Sequence, residues 1–179
     1  MTFEKTVTLK DGRNCLLRNG VTSDGKAVLD VFNRTHEETD YLLTYSDENC
    51  FTASQEADFL QRKTDSTNTV EIIAIVDGVV AGTAGIDALG MRDKIKHRAV
   101  FGIAITKEFW GLGIGKSLME ACIECAREAG YLQLELEVVA ENERAVEMYR
   151  RAGFIEYGRN PKAFRLRTGE YQELIDMRL

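Results

Sequence analysis

Three glycines at alternate positions, Gly111, Gly113 and Gly115, stand between a short apolar run and a long helical pattern, and no other stretch restricts the chain as much. Phe101 to Ile105 has the composition of a buried strand. Thr106 to Trp110 carry the chain to the glycines, and from Ile114 the apolar residues recur at helical spacing. Strand, loop and helix therefore follow one another directly. The first turn of such a helix presents backbone N–H groups with no partner inside the helix, and its dipole adds partial positive charge. Glycines lack a Cβ, so the loop can turn at positive φ and let an anion approach the amides. A phosphate or pyrophosphate is the expected guest.

Two common phosphate motifs fit poorly. Gly115-Lys116-Ser117 supplies the last three residues of a nucleotide P-loop, but that motif needs a glycine five residues before Gly115, where Trp110 stands. The dinucleotide fingerprint G-x-G-x-x-G follows a first strand, whereas these glycines run G-x-G-x-G deep in the chain. The glycines alone leave the ligand open.

A second cluster lies downstream. Leu134, Leu136 and Val138 alternate with Gln133, Glu135 and Glu137 in a strand pattern. Asn142 is placed to cap a helix on which Ala145, Met148, Tyr149 and Ala152 share one face, and Gly153 stops it.

Taken together, the two clusters resemble the Gcn5-related N-acetyltransferases. That family's pyrophosphate loop reads Gln/Arg-x-x-Gly-x-Gly/Ala, and Trp110-Gly111-Leu112-Gly113-Ile114-Gly115 fits it except at the first position. Its later motif, Asn-x-x-Ala-x-x-x-Tyr followed by Gly-Phe, is matched by Asn142, Ala145, Tyr149, Gly153 and Phe154. The resemblance covers residues 70 to 160 well and the remainder loosely. It implies an α/β (α+β) fold: a mixed, mostly antiparallel sheet with helices on both faces, and parallel strands at 101–105 and 133–139 that splay apart around acetyl-CoA. It further implies acetyl transfer to a primary amine of a small molecule or a peptide N-terminus.

Residue by residue, the resemblance gives the pantetheine arm to the backbone of Ile103 and Ile105. The pyrophosphate falls to the amides of Gly111, Leu112, Gly113, Ile114, Gly115 and Lys116, and the pantetheine region to Asn142. Tyr149 is the expected proton donor to the departing thiolate. An indole at position 110 offers one N–H and no charge, so Lys116 is the expected compensating cation. The attacking amine must be neutral, which calls for a base. Glu137 is the candidate, beside Glu135 on the same strand face, with Glu71 and Asp87 as further carboxylates. Two other readings remain at this stage: a non-catalytic CoA-binding sensor, and a P-loop-like nucleotide-binding protein.

Composition sets wider bounds. The chain has 179 residues, 44% of them apolar, and one proline, which suits a single domain over 1–179. A net charge of −6 disfavours a nucleic-acid partner and mildly favours a cationic substrate. No stretch approaches the roughly 20 apolar residues of a membrane helix, and the first ten residues lack a signal peptide's apolar run, so a cytoplasmic protein without membrane contact is expected. Cys122 and Cys125 form a C-x-x-C but fall on the apolar stripe of a helix, and no second pair or nearby His completes a metal set. Core packing is the expected role, and no metal site is assigned. A homodimer is common among the resembled proteins.

Along the chain, a hairpin is expected around Asp11-Gly12, a helix from Thr22 to about His36, and an acidic, aromatic loop from Glu37 to Glu48. By resemblance that loop lines the acceptor site. Thr52 with Gln55 reads as a capping box. Asp77-Gly78 joins two strands in the strongest hairpin signal of the chain, and short strands are expected at 154–157, 162–167 and 173–178.

Overall fold

A computed structural model describes all residues, 1–179. Eight strands form one sheet: β1 (Glu4–Thr8), β2 (Asn14–Asn19), β3 (Val70–Val76), β4 (Val79–Ala88), β5 (Arg98–Ile105), β6 (Gln133–Val139), β7 (Ile155–Arg165) and β8 (Tyr171–Arg178). Their spatial order is β1-β2-β3-β4-β5-β6-β8-β7. Every neighbouring pair is antiparallel except β5 and β6.

The turn chemistry explains the first half of this order. Asp77 and Gly78 take φ of 51° and 80°, the doubly positive geometry of a two-residue type I′ hairpin, and join β3 to β4. Between β2 and β3 lie two helices, α1 (Gly25–Glu38) and α2 (Ala53–Asp65). Thr52 caps α2 as the sequence suggests: its hydroxyl accepts from the Gln55 N–H, and the Gln55 side chain accepts from the Thr52 N–H.

Side-chain alternation on β3 divides the core. Val70, Ile72, Ala74 and Val76 face α3 (Ile114–Glu128) and α4 (Glu143–Arg151), while Ile73 and Ile75 face Val28 and Val31 of α1 and Leu60 of α2. Helices therefore cover both faces. Cys122 and Cys125 are buried on the inner stripe of α3, among the core residues.

Two expected boundaries shift. α1 begins after a short 3₁₀ turn over Thr22–Asp24 and runs past His36 to Glu38, where an Arg34–Glu38 ion pair at 2.9 Å continues the last turn. The strands expected at 154–157 and 162–167 are one long edge strand, β7. Register shifts at Glu156/Gly158 and Asn160/Phe164 let Pro161 sit inside it, because an edge strand at an irregularity does not need the missing N–H.

A buried charge cluster ties α2 to the sheet. Lys63, 5% exposed, sends its ammonium to Asp87 Oδ2 at 2.5 Å and to the Ile86 carbonyl at 3.2 Å, and it stands 3.9 Å from Glu71 Oε2. One cation thus serves two carboxylates. Burial, reinforced by the charges of Asp87 and Glu56, raises the Glu71 carboxyl to about 7 against the pull of Lys63 and Thr83. The folded protein therefore binds a proton at Glu71 that the unfolded chain has already released, across the range from its ordinary value of 4.5 up to about 7. Stability from this group is full below that range and lost as the pH rises through it. Glu71→Gln is expected to be more stable than the wild type at pH ~8, by roughly 3 kcal/mol at about 1.4 kcal/mol per pKa unit, and to converge with it below pH ~4. Urea unfolding of both proteins across that range measures the difference.

Candidate active site

The sheet parts in the middle. β5 and β6 pair only at Arg98–Gln133, Ala99–Leu134 and Val100–Glu135. Beyond these, Phe101 to Ile105 stay laddered to β4, and Leu136 to Val139 stay laddered to β8. Each strand keeps one neighbour and loses the other, so backbone groups of Ile103 and Ile105 face a gap rather than a strand. The gap opens on a cavity of about 1200 Å³. A double ion pair closes its lower end: Arg98 grips both oxygens of Glu135, with Gln133 and Tyr157 on the same carboxylate. This pair holds the Glu135 carboxyl below the usual range.

At the upper end of β5 lies the glycine loop. Gly111 and Gly113 take φ of 86° and 100°, where an L side chain would be strained. No backbone N–H from Gly111 to Lys116 has an acceptor in the protein, while the Leu112 carbonyl is tied to the Lys10 N–H at 3.1 Å. A row of free donors at a helix N-terminus, with no Cβ at the turning positions, fits a pyrophosphate.

Trp110 brings no charge of its own to the loop. Its indole N–H donates to the Ile105 carbonyl at 2.6 Å, and its ring lies under two cations, Arg144 at 5.6 Å and Lys107 at 5.7 Å. The Arg144 guanidinium stands 3.8 Å from where a Cβ on Gly111 would be. Lys116, the cation expected from sequence, lines the cavity but points largely into solvent beside Glu120 at 3.6 Å. The cation over the loop is Arg144, in the first turn of α4. Sequence reasoning missed it, because nothing in the residue pattern relates it to Trp110.

α4 supplies two more expected residues. The Asn142 carboxamide oxygen caps the helix by accepting from the Ala145 N–H at 3.3 Å, which leaves its NH₂ group for the cavity it lines. Tyr149 is 5% exposed, edge-on to Phe101 at 6.1 Å and tilted against Phe154 at 5.8 Å. Its hydroxyl has no protein partner and is not sealed off, since the cavity reaches it. Burial pushes this phenol up, so it stays protonated. Glu137 lines the same cavity from the opposite sheet face and is exposed, so the parted strands let groups from both faces meet.

One side of the cavity is walled by the segment after α1. Thr39, Tyr41, Leu42 and Leu43 line the cavity, facing Phe164 and Leu174 from the last hairpin. A latch joins the two walls: Arg167 forms a double ion pair with Asp47 at 2.7 and 3.0 Å, stacks on Tyr45 at 4.0 Å, and its N–H donates to the Tyr45 hydroxyl at 3.0 Å.

The sequence model of the acetyltransferase (GNAT) family matches residues 28–154. The chain belongs to the GNAT acetyltransferase family. An L-amino acid N-acetyltransferase of Escherichia coli is 32% identical over 118 residues, spanning 65% of this chain and 72% of that protein. Among solved structures, a GNAT-family acetyltransferase from Streptococcus pneumoniae superposes with a TM-score of 0.87 at 28% identity, covering 92% of this chain and 98% of that one. A Salmonella typhimurium protein described as a putative acetyltransferase, solved with acetyl-CoA, shares the fold at a TM-score of 0.82 and 17% identity, over 93% of each chain. GNAT proteins are acyltransferases that use acetyl-CoA, and the parted strands and open glycine loop of this chain fit that donor.

The stacking of Arg144 on Trp110 makes a coupled pair. Trp110→Ala and Arg144→Ala are each expected to weaken acetyl-CoA binding by about 10-fold, and the double variant to lose little more than either, a coupling that calorimetry reads as a double-mutant cycle.

Proposed function

We propose that residues 1–179 act as one N-acetyltransferase domain that transfers acetyl from acetyl-CoA to a primary amine of a small molecule or a peptide N-terminus. Attack on the thioester is direct. The observation that carries this reading is the convergence, in one cavity, of unpaired amides at 111–116, the unladdered edge of β5 and the free Tyr149 hydroxyl.

When bound, acetyl-CoA supplies an activated acetyl group. The amides of the glycine loop and the Arg144 guanidinium hold its phosphates, and the unpaired Ile103 backbone with the Ile105 N–H orients its arm. The Asn142 amide steadies the same region. Tyr149 donates its proton to the departing sulphur, a role suited to a phenol that burial keeps protonated. Glu137, across the gap, meets the incoming amine as clamp or base. The likeness to an L-amino acid N-acetyltransferase supports a small amine as acceptor.

The reading is tested by calorimetry with acetyl-CoA and by following thiol release with L-amino acids, polyamines, aminoglycosides and short peptides. Amine-dependent release supports a transferase; tight binding with no release from any amine favours a sensor; no binding overturns the assignment. Tyr149→Phe is expected to lower kcat by about 100-fold or more while leaving acetyl-CoA affinity within a factor of about two, since the phenol acts only as sulphur leaves.

A further inference from the structure

Strand register sets Glu71, Gly85 and Gly102 in one row across β3, β4 and β5, on the face covered by α1 and α2. The Glu71 carboxylate lies over Gly85, since a Cβ there would fall 2.1 Å from Glu71 Oε2. Next in the row, Gly102 lines the cavity, and a Cβ on it would meet nothing within 4 Å. The carboxylate thus fills the space over Gly85, and only Gly102 lies bare between it and the chamber. Adjacent strands lie about 4.8 Å apart, so Glu71 is about one water from the floor at Gly102. Glu137 is level with Gly102 on the far side of the gap, two residues beyond the last β5–β6 pair.

Two of the other carboxylates near this face are engaged, while Glu56 on α2 and Glu137 across the gap form no ion pair. Asp87 is held by Lys63 and Glu135 by Arg98. Lys63 stands 3.9 Å from Glu71, outside hydrogen-bond range.

We propose that Glu71 is the proton acceptor for the incoming ammonium, through water over Gly102. This rests on the transferase reading. As the amine nitrogen forms its bond to the acetyl carbon and the C–S bond breaks, the nitrogen sheds two protons in all. One passes through water to Glu71 and on to solvent, and the other balances the thiol that Tyr149 has protonated. A carboxyl that titrates at about 7 is matched to this task at neutral pH. The groups facing it are Lys63 and Glu56 from α2, Thr83 and Asp87 from β4, and Cys122 of α3 across the sheet.

The test compares kcat/KM between about pH 5.5 and 9.5 for the wild type, Glu71→Gln and Glu137→Gln, using the L-amino acid that turns over fastest. The expected wild-type profile has an acidic limb near 7. Glu71→Gln should lose that limb, fall about 100-fold at neutral pH, and recover as the pH approaches the amine's own pKa, with acetyl-CoA affinity unchanged. A limb that survives in Glu71→Gln, or that only Glu137→Gln removes, overturns the proposal. Carbon-13 titration of the side-chain carboxyls, assigned by Glu71→Gln, decides the matter without turnover: a Glu71 signal titrating in the ordinary glutamate range also overturns it. If no amine turns over in the wild type while Glu71 titrates near 7, the acceptor reading fails and the site's protonation stands.

Discussion

The parting of β5 from β6 governs the rest of the molecule. Parallel strands carry their C-terminal ends to the same side of a sheet, and here each is followed by a loop and a helix. The N-terminus of α3 and that of α4 are therefore delivered to the same opening. Free amides at 111–116 and the Asn142 cap come from segments far apart in sequence, yet both stand at the mouth of one gap. The three paired residues below, with Arg98 gripping Glu135, fix where the separation starts. Had the ladder continued, Glu137 would lie beside Gly102 in an unbroken sheet, and Tyr149 on the other face would be sealed from it.

The same geometry divides the labour between faces. The α3 and α4 side offers backbone donors, Arg144 and a protonated phenol, all suited to negative charge at the phosphates and at departing sulphur. Carboxylates dominate the α1 and α2 side, which suits an amine that must lose protons. Trp110 belongs to the first set through its neighbours: a neutral ring stacked under a guanidinium brings positive charge to that place in the loop.

Much of this was legible because its causes are local. The glycine loop, the Asp77-Gly78 hairpin, the Thr52 capping box and the Asn142 cap each follow from a few adjacent residues whose backbone needs are specific. What the sequence left hidden depends on residues brought together by the fold. Lys63 reaches Asp87 across 24 positions, and Arg167 reaches Asp47 across 120. The placement of Arg144 over Trp110 is of the same kind. The continuity of β7 stays hidden for a different reason: propensity disfavours a proline such as Pro161 within a strand, while an irregular edge strand admits it.

The acidic balance of the chain gave only a weak hint of a cationic substrate, and the structure shows why such counting is a poor guide. Around the cavity wall after α1 the acids are largely spent on the protein itself. Asp47 is held by Arg167, Glu38 by Arg34 and the Lys107 N–H, and Glu48 by the Tyr45 N–H. What the wall presents to the cavity is mostly Leu42, Leu43, Phe164 and Leu174, with Glu137 at the gap. The carboxylates at the gap are thus fixed on sheet strands, where register sets their position, and the loop contributes apolar surface that a latch holds in place. Variation in that loop can alter the shape of the cavity without disturbing the carboxylates on the strands.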